Sequence, residues 1–249
     1  MKQKTLNSVM LTLFVSGTLV ACSSSNSEVV SLLQPASTDV LFICGGNTGR
    51  SPSAEALANA NGTPAFSRAS GLDANDPLNV ESGALSALTR LAESQHKNSD
   101  FYTRYILERK AQQLTYEDIL KSSAIYPMTE AHLCRVALII ELNADSELEA
   151  KQEFDKVHLL SSCATGKYTP VPDGFGVAES KEFVVYNEII QQLNGYVLAI
   201  KNNHNSCVTT IESSPLSSSL GEAVDSCCSK YSLDLNKRYN NYCITQQAN

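Results

Sequence analysis

Several features that would place this chain in a specialised structural class are scarce or missing. Glycine and proline number only 12 and 8 of 249 residues, and no apolar run reaches the roughly 18 residues that a membrane-spanning helix needs. These shortages exclude a collagen-like repeat and a polytopic membrane protein. Because 43% of the residues are hydrophobic, the chain has enough apolar material for one folded domain, or one domain with an appendage.

Positive charge is also too scarce for broad nucleic-acid binding. Lysine and arginine total 19 against 26 acidic residues, which gives a net charge of -7, and no block of basic residues is present. A nucleic-acid duplex would be repelled, so any anion recognition must be local. The eight cysteines show neither CxxC pairs nor the Cys/His spacing of a zinc site, so we expect neither a metal nor another cofactor.

The N-terminus has the layout of a targeting signal. Lys2 and Lys4 precede an apolar stretch at 9–20 that is too short to span a bilayer. The stretch ends in Leu-Val-Ala-Cys22 followed by three serines, which resembles the lipobox of bacterial lipoproteins. The resemblance implies cleavage before Cys22 and lipidation of its thiol. An ordinary secretory signal with an incidental cysteine is the alternative.

This interpretation predicts a signal peptide at 1–21 and a polar tether at 22–38. Acyl chains on Cys22 would hold the protein at a membrane. Ser23 is similar to the residue that sorts lipoproteins to the outer membrane of Gram-negative cells. We therefore expect a lipid-anchored protein of the cell envelope, on the outer membrane and facing the periplasm.

The body of the chain, 39–201, alternates strand and helix patterns. Continuous short apolar runs predict strands buried on both faces of a sheet, and longer amphipathic stretches predict helices. We expect strands at 40–44, 65–70, 123–128 and 157–160, and helices at 80–91, at 115–121, from near Glu130 and at 179–200. A further helix starts at Ser51, the expected N-cap, and has the carboxylate of Glu55 in its first turn. The helix at 179–200 has an apolar stripe that consists of Phe183, Tyr186, Ile189, Ile190, Leu193 and Val197. This order predicts an α/β fold with a doubly wound, parallel, four-stranded sheet and helices on both faces.

Two segments do not follow this alternation. Residues 93–108 are polar and then aromatic, and are interpreted as an inserted loop. Residues 202–249 form a C-terminal extension with Cys207, Cys227, Cys228 and Cys243, which could form two disulfides with an unknown pairing. Cys134 and Cys163 are interpreted as small core residues, and His96, His132, His158 and His204 as structural or exposed.

The segment between the first strand and the first helix has the residue types that a phosphate-binding thiol site needs. It reads Cys44-Gly-Gly-Asn-Thr-Gly-Arg50-Ser51, with glycines that let backbone N–H groups converge on an anion at the start of a helix. Arg50 adds a charged two-pronged donor. The same positive field favours the thiolate of Cys44, which is the nucleophilic form. Ser51 can donate a hydrogen bond to the sulfur, and the Asn47 amide can tie the loop together.

At these residues the chain resembles the low-molecular-weight protein tyrosine phosphatases, whose signature is CxGNxxRSP followed by Ala-Glu. The resemblance extends over residues 40–200. It implies phosphate binding by the loop, through Gly45, Gly46, Asn47, Thr48, Gly49 and Arg50. It further implies a catalytic set that consists of Cys44, Arg50, Ser51 and a general acid, Asp173, in the segment before the last helix.

The implied activity is hydrolysis of a phosphorylated protein or a small phosphomonoester through a cysteinyl phosphate. Thr48 and Phe175 would line the substrate pocket. Protein-arginine phosphatases resemble this chain in having a threonine at the position of Thr48, whereas tyrosine phosphatases commonly have isoleucine. Phosphotyrosine and phosphoarginine both remain open, with a slight preference for phosphoarginine.

Three positions depart from the family pattern. Gly49 replaces a second loop cysteine, Gly174 replaces the proline after the acid and should loosen Asp173, and Arg109 stands where a histidine often supports the loop. Two other functions stay open. One is arsenate reduction, which uses the same loop but needs a nearby cysteine pair that the sequence does not show. The other is a catalytically weak envelope lipoprotein that keeps the loop for anion binding.

Overall fold

A computed structural model describes residues 39–71, 78–177, 179–202 and 219–230 of the protein. The described residues form three strands and eight α-helices, with one turn of 3-10 helix at Thr103–Tyr105. In chain order they are β1 (Val40–Cys44), α1 (Arg50–Ala60), β2 (Ala65–Ala69), α2 (Ser82–Ser94), α3 (Tyr116–Lys121), β3 (Ala124–Pro127), α4 (Glu130–Asn143), α5 (Glu147–Phe154), α6 (Leu160–Thr165), α7 (Glu179–Asn202) and α8 (Leu220–Lys230).

The three strands form one parallel sheet in the order β2-β1-β3. In the register of the sheet, Val40 of β1 pairs with Ala65 of β2 on one side and with Ala124 of β3 on the other. The first strand is therefore the central one, and all five of its residues are buried. Its carboxyl end, where Cys44 lies, is the edge at which open α/β sheets bind ligands.

The expected fourth strand at 157–160 is not formed. Val157 makes an isolated parallel bridge to Ile125, and the His158 N–H donates to the Ile125 carbonyl at 2.9 Å. The chain then turns into α6 at Leu160, which is fully buried. Pairing stops after this bridge because the apolar residues that follow are buried as a helix against the sheet. The prediction of four strands was therefore wrong by one.

Helices cover both faces of the sheet, as the α/β pattern predicted. Alternate residues of β1 point to opposite faces, so Phe42 and Cys44 belong to one core and Leu41 and Ile43 to the other. The first core is completed by α1, α2, α6 and α7, and the second by α3, α4, α5 and α8. On α7, the predicted apolar stripe is buried at Tyr186, Ile189, Ile190, Leu193 and Val197, whereas Phe183 is half-buried.

Several element boundaries differ from the sequence-based expectation. The segment at 93–108 is not a loose insertion, because α2 continues to Ser94 and both Tyr102 and Ile106 are buried in the first core. The capping box of α3 joins Thr115 and Asp118.

None of the helices in the described parts of the chain is both long and apolar enough to cross a membrane. The predicted signal and tether, at 1–38, lie outside the described residues.

Candidate active site

The phosphate loop, residues 44–51, joins the central strand to the first helix. Its backbone is tied to the end of β2, because the N–H groups of Ser70 and Gly71 donate to the carbonyls of Cys44 and Gly45 at 2.8 and 3.1 Å. The Glu81 N–H donates to the Thr48 carbonyl at 2.9 Å. These bonds anchor both halves of the loop to neighbouring segments, so its shape does not depend on a bound ligand.

Two side chains within the loop organise the nucleophile. The Ser51 hydroxyl donates to the Cys44 sulfur at 3.0 Å, and Asn47 Nδ2 donates to Ser51 Oγ at 3.0 Å and to Ser67 Oγ at 2.8 Å. Asn47 has a φ of 55°, in the left-handed region that asparagine tolerates better than most residues. The hydrogen bonds of Ser51 and Asn47 therefore fix the position of the Cys44 sulfur at the base of the loop.

The start of α1 differs from the prediction. Ser51 was expected to be the N-cap, but the helix begins at Arg50 with Gly49 as the N-cap and no side-chain cap. Ser51 cannot cap the helix because its hydroxyl is committed to the sulfur of Cys44. The carboxylate expected in the first turn, Glu55, lies farther along the helix and forms an ion pair with Arg109.

Arg50 connects the loop to the segment that carries the predicted general acid. Its guanidinium forms an ion pair with Asp173 at 2.5 Å and donates to the Val171 carbonyl at 3.2 Å. We call residues 171–177 the acid loop. The other carboxylate oxygen of Asp173 accepts from the Phe175 N–H at 3.1 Å, and 53% of the Asp173 side chain is exposed. Phe175 itself is 67% exposed at the rim of the site.

A cavity of about 400 Å³ opens over Cys44. Cys44 is 3% exposed and lines the floor of this cavity. The lining residues come from the phosphate loop, the segments that follow β2 and precede α2, and the acid loop: Cys44, Gly45, Gly46, Thr48, Gly49, Arg50, Gly71, Leu78, Glu81, Asp173 and Phe175. Asn47 and Ser51, which do not line the cavity, are buried beside it. All these site residues predicted from the sequence therefore lie together, and Cys22 lies outside the described residues.

Glu81 is a site residue that the sequence analysis missed. One of its carboxylate oxygens accepts from the Thr48 hydroxyl at 2.5 Å, and the other accepts from the Tyr186 hydroxyl at 2.5 Å. Burial raises the pKa of Tyr186, and the hydrogen bond to Glu81 raises it further, so the phenol stays protonated and keeps donating. The apolar stripe of α7 placed Tyr186 in the core, but no sequence pattern pointed to Glu81.

Arg109 supports the phosphate loop from beneath. Its guanidinium donates to Ser67 Oγ at 3.1 Å and to Asn47 Oδ1 at 3.5 Å, in addition to its ion pair with Glu55. Burial lowers the pKa of Arg109 to about 10, and the charges of Cys44 and Asp118 oppose that shift. The group therefore remains charged at neutral pH. Arg109 thus contacts and supports the phosphate loop, although the family pattern often has a histidine at this position.

His132, on α4, lies close to Gly45 of the phosphate loop and is buried. A Cβ built on Gly45 would be 3.7 Å from His132 Nε2, and the other ring nitrogen has no hydrogen-bond partner within the described residues. Burial lowers the pKa of His132 to about 3, and the positive charges of Arg50 and Arg135 contribute. The imidazole is consequently neutral at physiological pH.

The cysteines correct two expectations. Cys134 is not a reduced core residue, because it forms a disulfide with Cys227 of α8, and Cys163 and Cys228 are disulfide-bonded as well. Cys227 therefore pairs with the body of the domain and not within the extension. Among the described cysteines, Cys44 is the free one. The structure thus supplies no second reduced cysteine, within the described residues, for the cascade of an arsenate reductase.

Solved structures share this arrangement of strands and helices. The YwlE arginine phosphatase of Geobacillus stearothermophilus is 22% identical, with a TM-score of 0.50 over 68% of this chain and 94% of that chain. A low-molecular-weight protein tyrosine phosphatase from T. tengcongensis is also 22% identical, with a TM-score of 0.50 over 67% and 99%. The chain has the fold of a phosphatase-type enzyme, that of the low-molecular-weight protein tyrosine phosphatases.

A YwlE mutant from Bacillus subtilis has the same phosphatase fold, at 25% identity and a TM-score of 0.51 over 68% of this chain and 100% of that chain. No protein-family model and no curated protein sequence matches the chain. The likeness to phosphatases is therefore one of three-dimensional structure and of the loop motif.

Proposed function

We propose that the protein is a phosphatase that hydrolyses phosphorylated proteins or small phosphomonoesters through a cysteinyl phosphate. The observation that carries the proposal is the placement of Cys44, Arg50 and Asp173 around one cavity, at the carboxyl end of the central strand. A thiol nucleophile, a fixed cation and a carboxyl group within one cavity are the groups that this reaction requires.

In the first step the Cys44 thiolate attacks phosphorus in line with the leaving group. A bond forms between sulfur and phosphorus, the bond from phosphorus to the leaving atom breaks, and Asp173 gives its proton to that atom. In the second step Asp173 takes a proton from water, whose oxygen displaces the sulfur and releases phosphate. Arg50 and the loop N–H groups stabilise the equatorial oxygens of phosphorus in both transition states.

The ion pair between Arg50 and Asp173 fits this cycle. A phosphoryl group carries charge that competes with the Asp173 carboxylate for the guanidinium. Substrate binding would therefore release Asp173 from Arg50 and leave the carboxyl free to exchange a proton with the leaving group.

The substrate that we propose is protein phosphotyrosine or phosphoarginine, and the pocket wall favours phosphoarginine. Thr48 and Glu81 line the cavity together, and two donated hydrogen bonds hold the Glu81 carboxylate in place. A carboxylate beside the phosphate site attracts a leaving group rich in N–H donors, such as a guanidinium, more than an aromatic ring. One protein of this fold is named an arginine phosphatase.

Turnover of p-nitrophenyl phosphate tests the activity. The wild type should hydrolyse this ester, Cys44→Ser should be inactive, and Asp173→Ala should be slower by about 10²-fold or more, the usual contribution of general acid–base catalysis. A folded wild type that binds vanadate at micromolar concentration but has no turnover would refute catalysis. That outcome would leave the loop as an anion-binding site only.

Phosphotyrosine and phosphoarginine peptides test the substrate. The wild type should prefer the phosphoarginine peptide, and Thr48→Ile should shift the preference toward phosphotyrosine because it removes the hydroxyl that donates to Glu81. Glu81→Gln provides a second variant that removes the charge but keeps the shape. An unchanged ratio of kcat/KM for the two peptides in both variants would contradict the specificity argument.

We further propose that the protein is lipid-anchored through Cys22 in the cell envelope, on the periplasmic side of the outer membrane. The disulfide between Cys134 and Cys227 supports an oxidising compartment, where disulfides persist. Full-length protein expressed in a Gram-negative cell should enter the detergent phase and sediment with outer membranes. A Cys22→Ser variant should remain in the aqueous phase, and the same partition for both proteins would refute the anchor.

A further inference from the structure

The phenol ring of Tyr186 fits into a socket made by three glycines. The glycines are Gly49 in the phosphate loop, Gly83 at the start of α2, and Gly174 in the acid loop. Tyr186 projects from α7 and is fully buried. Each of the three glycines belongs to a different segment of the chain, so this one ring is shared by three walls of the active site.

The contacts are too close for a side chain at any of the three positions. A Cβ built on Gly49 would lie 2.2 Å from Tyr186 Oη, and one on Gly174 would lie 2.5 Å from Cε2 and Cζ. One on Gly83 would lie 2.7 Å from Tyr186 Cδ2 and equally close to the Glu182 side chain. None of these glycines has a positive φ. The glycines are therefore required by the ring and not by the backbone conformation.

This packing accounts for two departures from the family pattern together. The missing second loop cysteine, at Gly49, and the missing proline after the acid, at Gly174, both make room for the same ring. Gly174 was expected to loosen Asp173 by enlarging the accessible backbone space, but here it brings the acid loop into contact with a buried aromatic side chain.

The polar end of the ring adds a second connection. The Tyr186 hydroxyl donates to Glu81, which also accepts from Thr48 of the phosphate loop. Glu182, one turn earlier on α7, accepts from the Gly83 N–H at 2.9 Å. The helix α7 thus holds the phosphate loop and the start of α2 through hydrogen bonds, and it contacts the acid loop at Gly174 through the Tyr186 ring.

We propose that Tyr186 is a positioning residue, which holds the acid loop against the phosphate loop so that Asp173 stays within reach of the leaving group of a phosphorylated substrate bound over Cys44. The inference rests on the proposed phosphatase activity. Removing the ring should lower kcat/KM most for substrates with a poor leaving group. A poor leaving group depends on protonation by the general acid, and a good one does not.

The test compares phenyl phosphate, a poor leaving group, with 2,4-dinitrophenyl phosphate, a good one. For Tyr186→Leu we expect kcat/KM to fall about tenfold more for phenyl phosphate than for the dinitrophenyl ester, in the same direction as for Asp173→Ala. Tyr186→Phe keeps the ring in the socket and should keep the ratio of the two substrates near that of the wild type. Circular dichroism and the alkylation rate of Cys44 report folding and loop integrity separately.

Gly174→Ala tests the same contact from the acid loop, without altering the core. The added methyl group would meet the ring and displace the acid loop, so we expect the same selective loss on phenyl phosphate. Gly195→Ala is the matched control, because it lies on the same helix as Tyr186 and has no atom within 4 Å of the added methyl. In a double-mutant cycle, Gly174→Ala should cost less in the Tyr186→Leu background than in the wild type.

Equal losses on both esters in Tyr186→Leu, or an unchanged ratio in Gly174→Ala, would overturn the positioning role. If Tyr186→Leu does not fold, the Gly174→Ala result decides the question. A wild type with no turnover of either ester would refute the proposed function, and the positioning role with it. An active wild type with unaffected variants would refute the positioning role alone.

Discussion

Arg109 places a second guanidinium beneath the phosphate loop, where it contacts Asn47, Ser67 and Glu55. The Asn47 amide donates to Ser51, and Ser51 donates to the Cys44 sulfur, so a chain of hydrogen bonds leads from the guanidinium to the nucleophile. Because arginine stays protonated throughout the physiological range, this support does not titrate as a histidine would.

Arg109→Gln should slow alkylation of Cys44 by iodoacetamide at neutral pH by about tenfold, since a nearby positive charge that favours the thiolate is removed. Raising the pH should restore much of the rate. Arg109→Lys, which keeps the charge, is the matched control, and its alkylation rate should fall less than that of Arg109→Gln. Equal rates in the wild type and Arg109→Gln over the whole pH range would show that the guanidinium has no electrostatic effect on the thiol.

His132 predicts a specific dependence of stability on pH. Its pKa falls from an ordinary value near 6.5 to about 3 on folding, so the unfolded chain binds a proton that the folded chain does not bind between those values. The contribution of the neutral imidazole is therefore fully present above pH 6.5 and is lost as the pH falls toward 3. The change of the unfolding free energy between two pH values therefore reports on His132, whereas the unfolding free energy at a single pH does not.

In urea titrations at pH 7 and pH 5, the wild type should lose about 2 kcal/mol more of its unfolding free energy than His132→Gln, whose side chain does not titrate. Other ionisable groups contribute equally to both proteins and cancel in the comparison. An equal loss in the two proteins would mean that His132 binds its proton in the folded state.

Among the elements, α8 owes its position to contacts that are remote in sequence. Its buried residues Ala223, Val224, Cys227 and Cys228 pack into the second core. The disulfide from Cys227 to Cys134 joins α8 to α4 across a sequence separation of 93 residues. An ion pair between exposed Lys230 and buried Glu130 lies at the ends of the same two helices. The disulfide is the connection with the largest expected effect, because it closes a long loop.

Replacing both Cys134 and Cys227 by alanine should lower the unfolding free energy by at most about 4.6 kcal/mol, the chain-entropy value for a loop of this length, because Cys228 of the same helix keeps its own disulfide. The amides of α8 should then exchange with solvent before those of the sheet. Lys230→Gln is the control for the ion pair and should cost less than the double variant, because the Lys230 side chain is mostly exposed and water can solvate the carboxylate that it leaves. A loss in the double variant no larger than that of Lys230→Gln would argue against the disulfide as a stabilising connection.

At the scale of the whole molecule, the active site joins segments from both halves of the chain. Arg50 of the phosphate loop is bonded to Asp173 and Val171, and Tyr186 is bonded to Glu81. Any anion that enters the cavity must share Arg50 with the acid loop. Ligand binding is therefore coupled to the contact between these segments, and the coupling should be visible in global stability.

Vanadate at about 100 times its dissociation constant should stabilise the wild type by about 2.7 kcal/mol, which for a protein of this size raises Tm by about 5–10 °C. Arg50→Met should abolish the shift, because the charged donor is lost. Arg104→Gln removes an exposed arginine that does not line the cavity, and this variant should keep the vanadate-induced shift in Tm. A shift of the same size in Arg50→Met would place the anion site elsewhere.

Local patterns predicted much of this site because it is built on one continuous segment. A buried strand, a glycine-rich turn and a helix start require particular residues at fixed offsets, so 44–51 could be interpreted without knowledge of the fold. The residues that contact this segment from elsewhere in the chain could not be predicted in this way. Glu81 and Tyr186 are 105 residues apart, and neither belongs to a motif. Their meeting depends on how α2 and α7 pack, which no local pattern specifies.

The sequence by itself determined the alternation of strands and helices, the nucleophile and its arginine, because these follow from hydrophobic periodicity and from the backbone demands of an anion-binding turn. Only the tertiary structure decided the rest: that the run at 157–160 pairs once and then becomes a helix, that Cys134 bonds Cys227, and that one buried ring requires Gly49 and Gly174. Each of these depends on which distant residues compete for the same space, and such competition exists only in the folded chain.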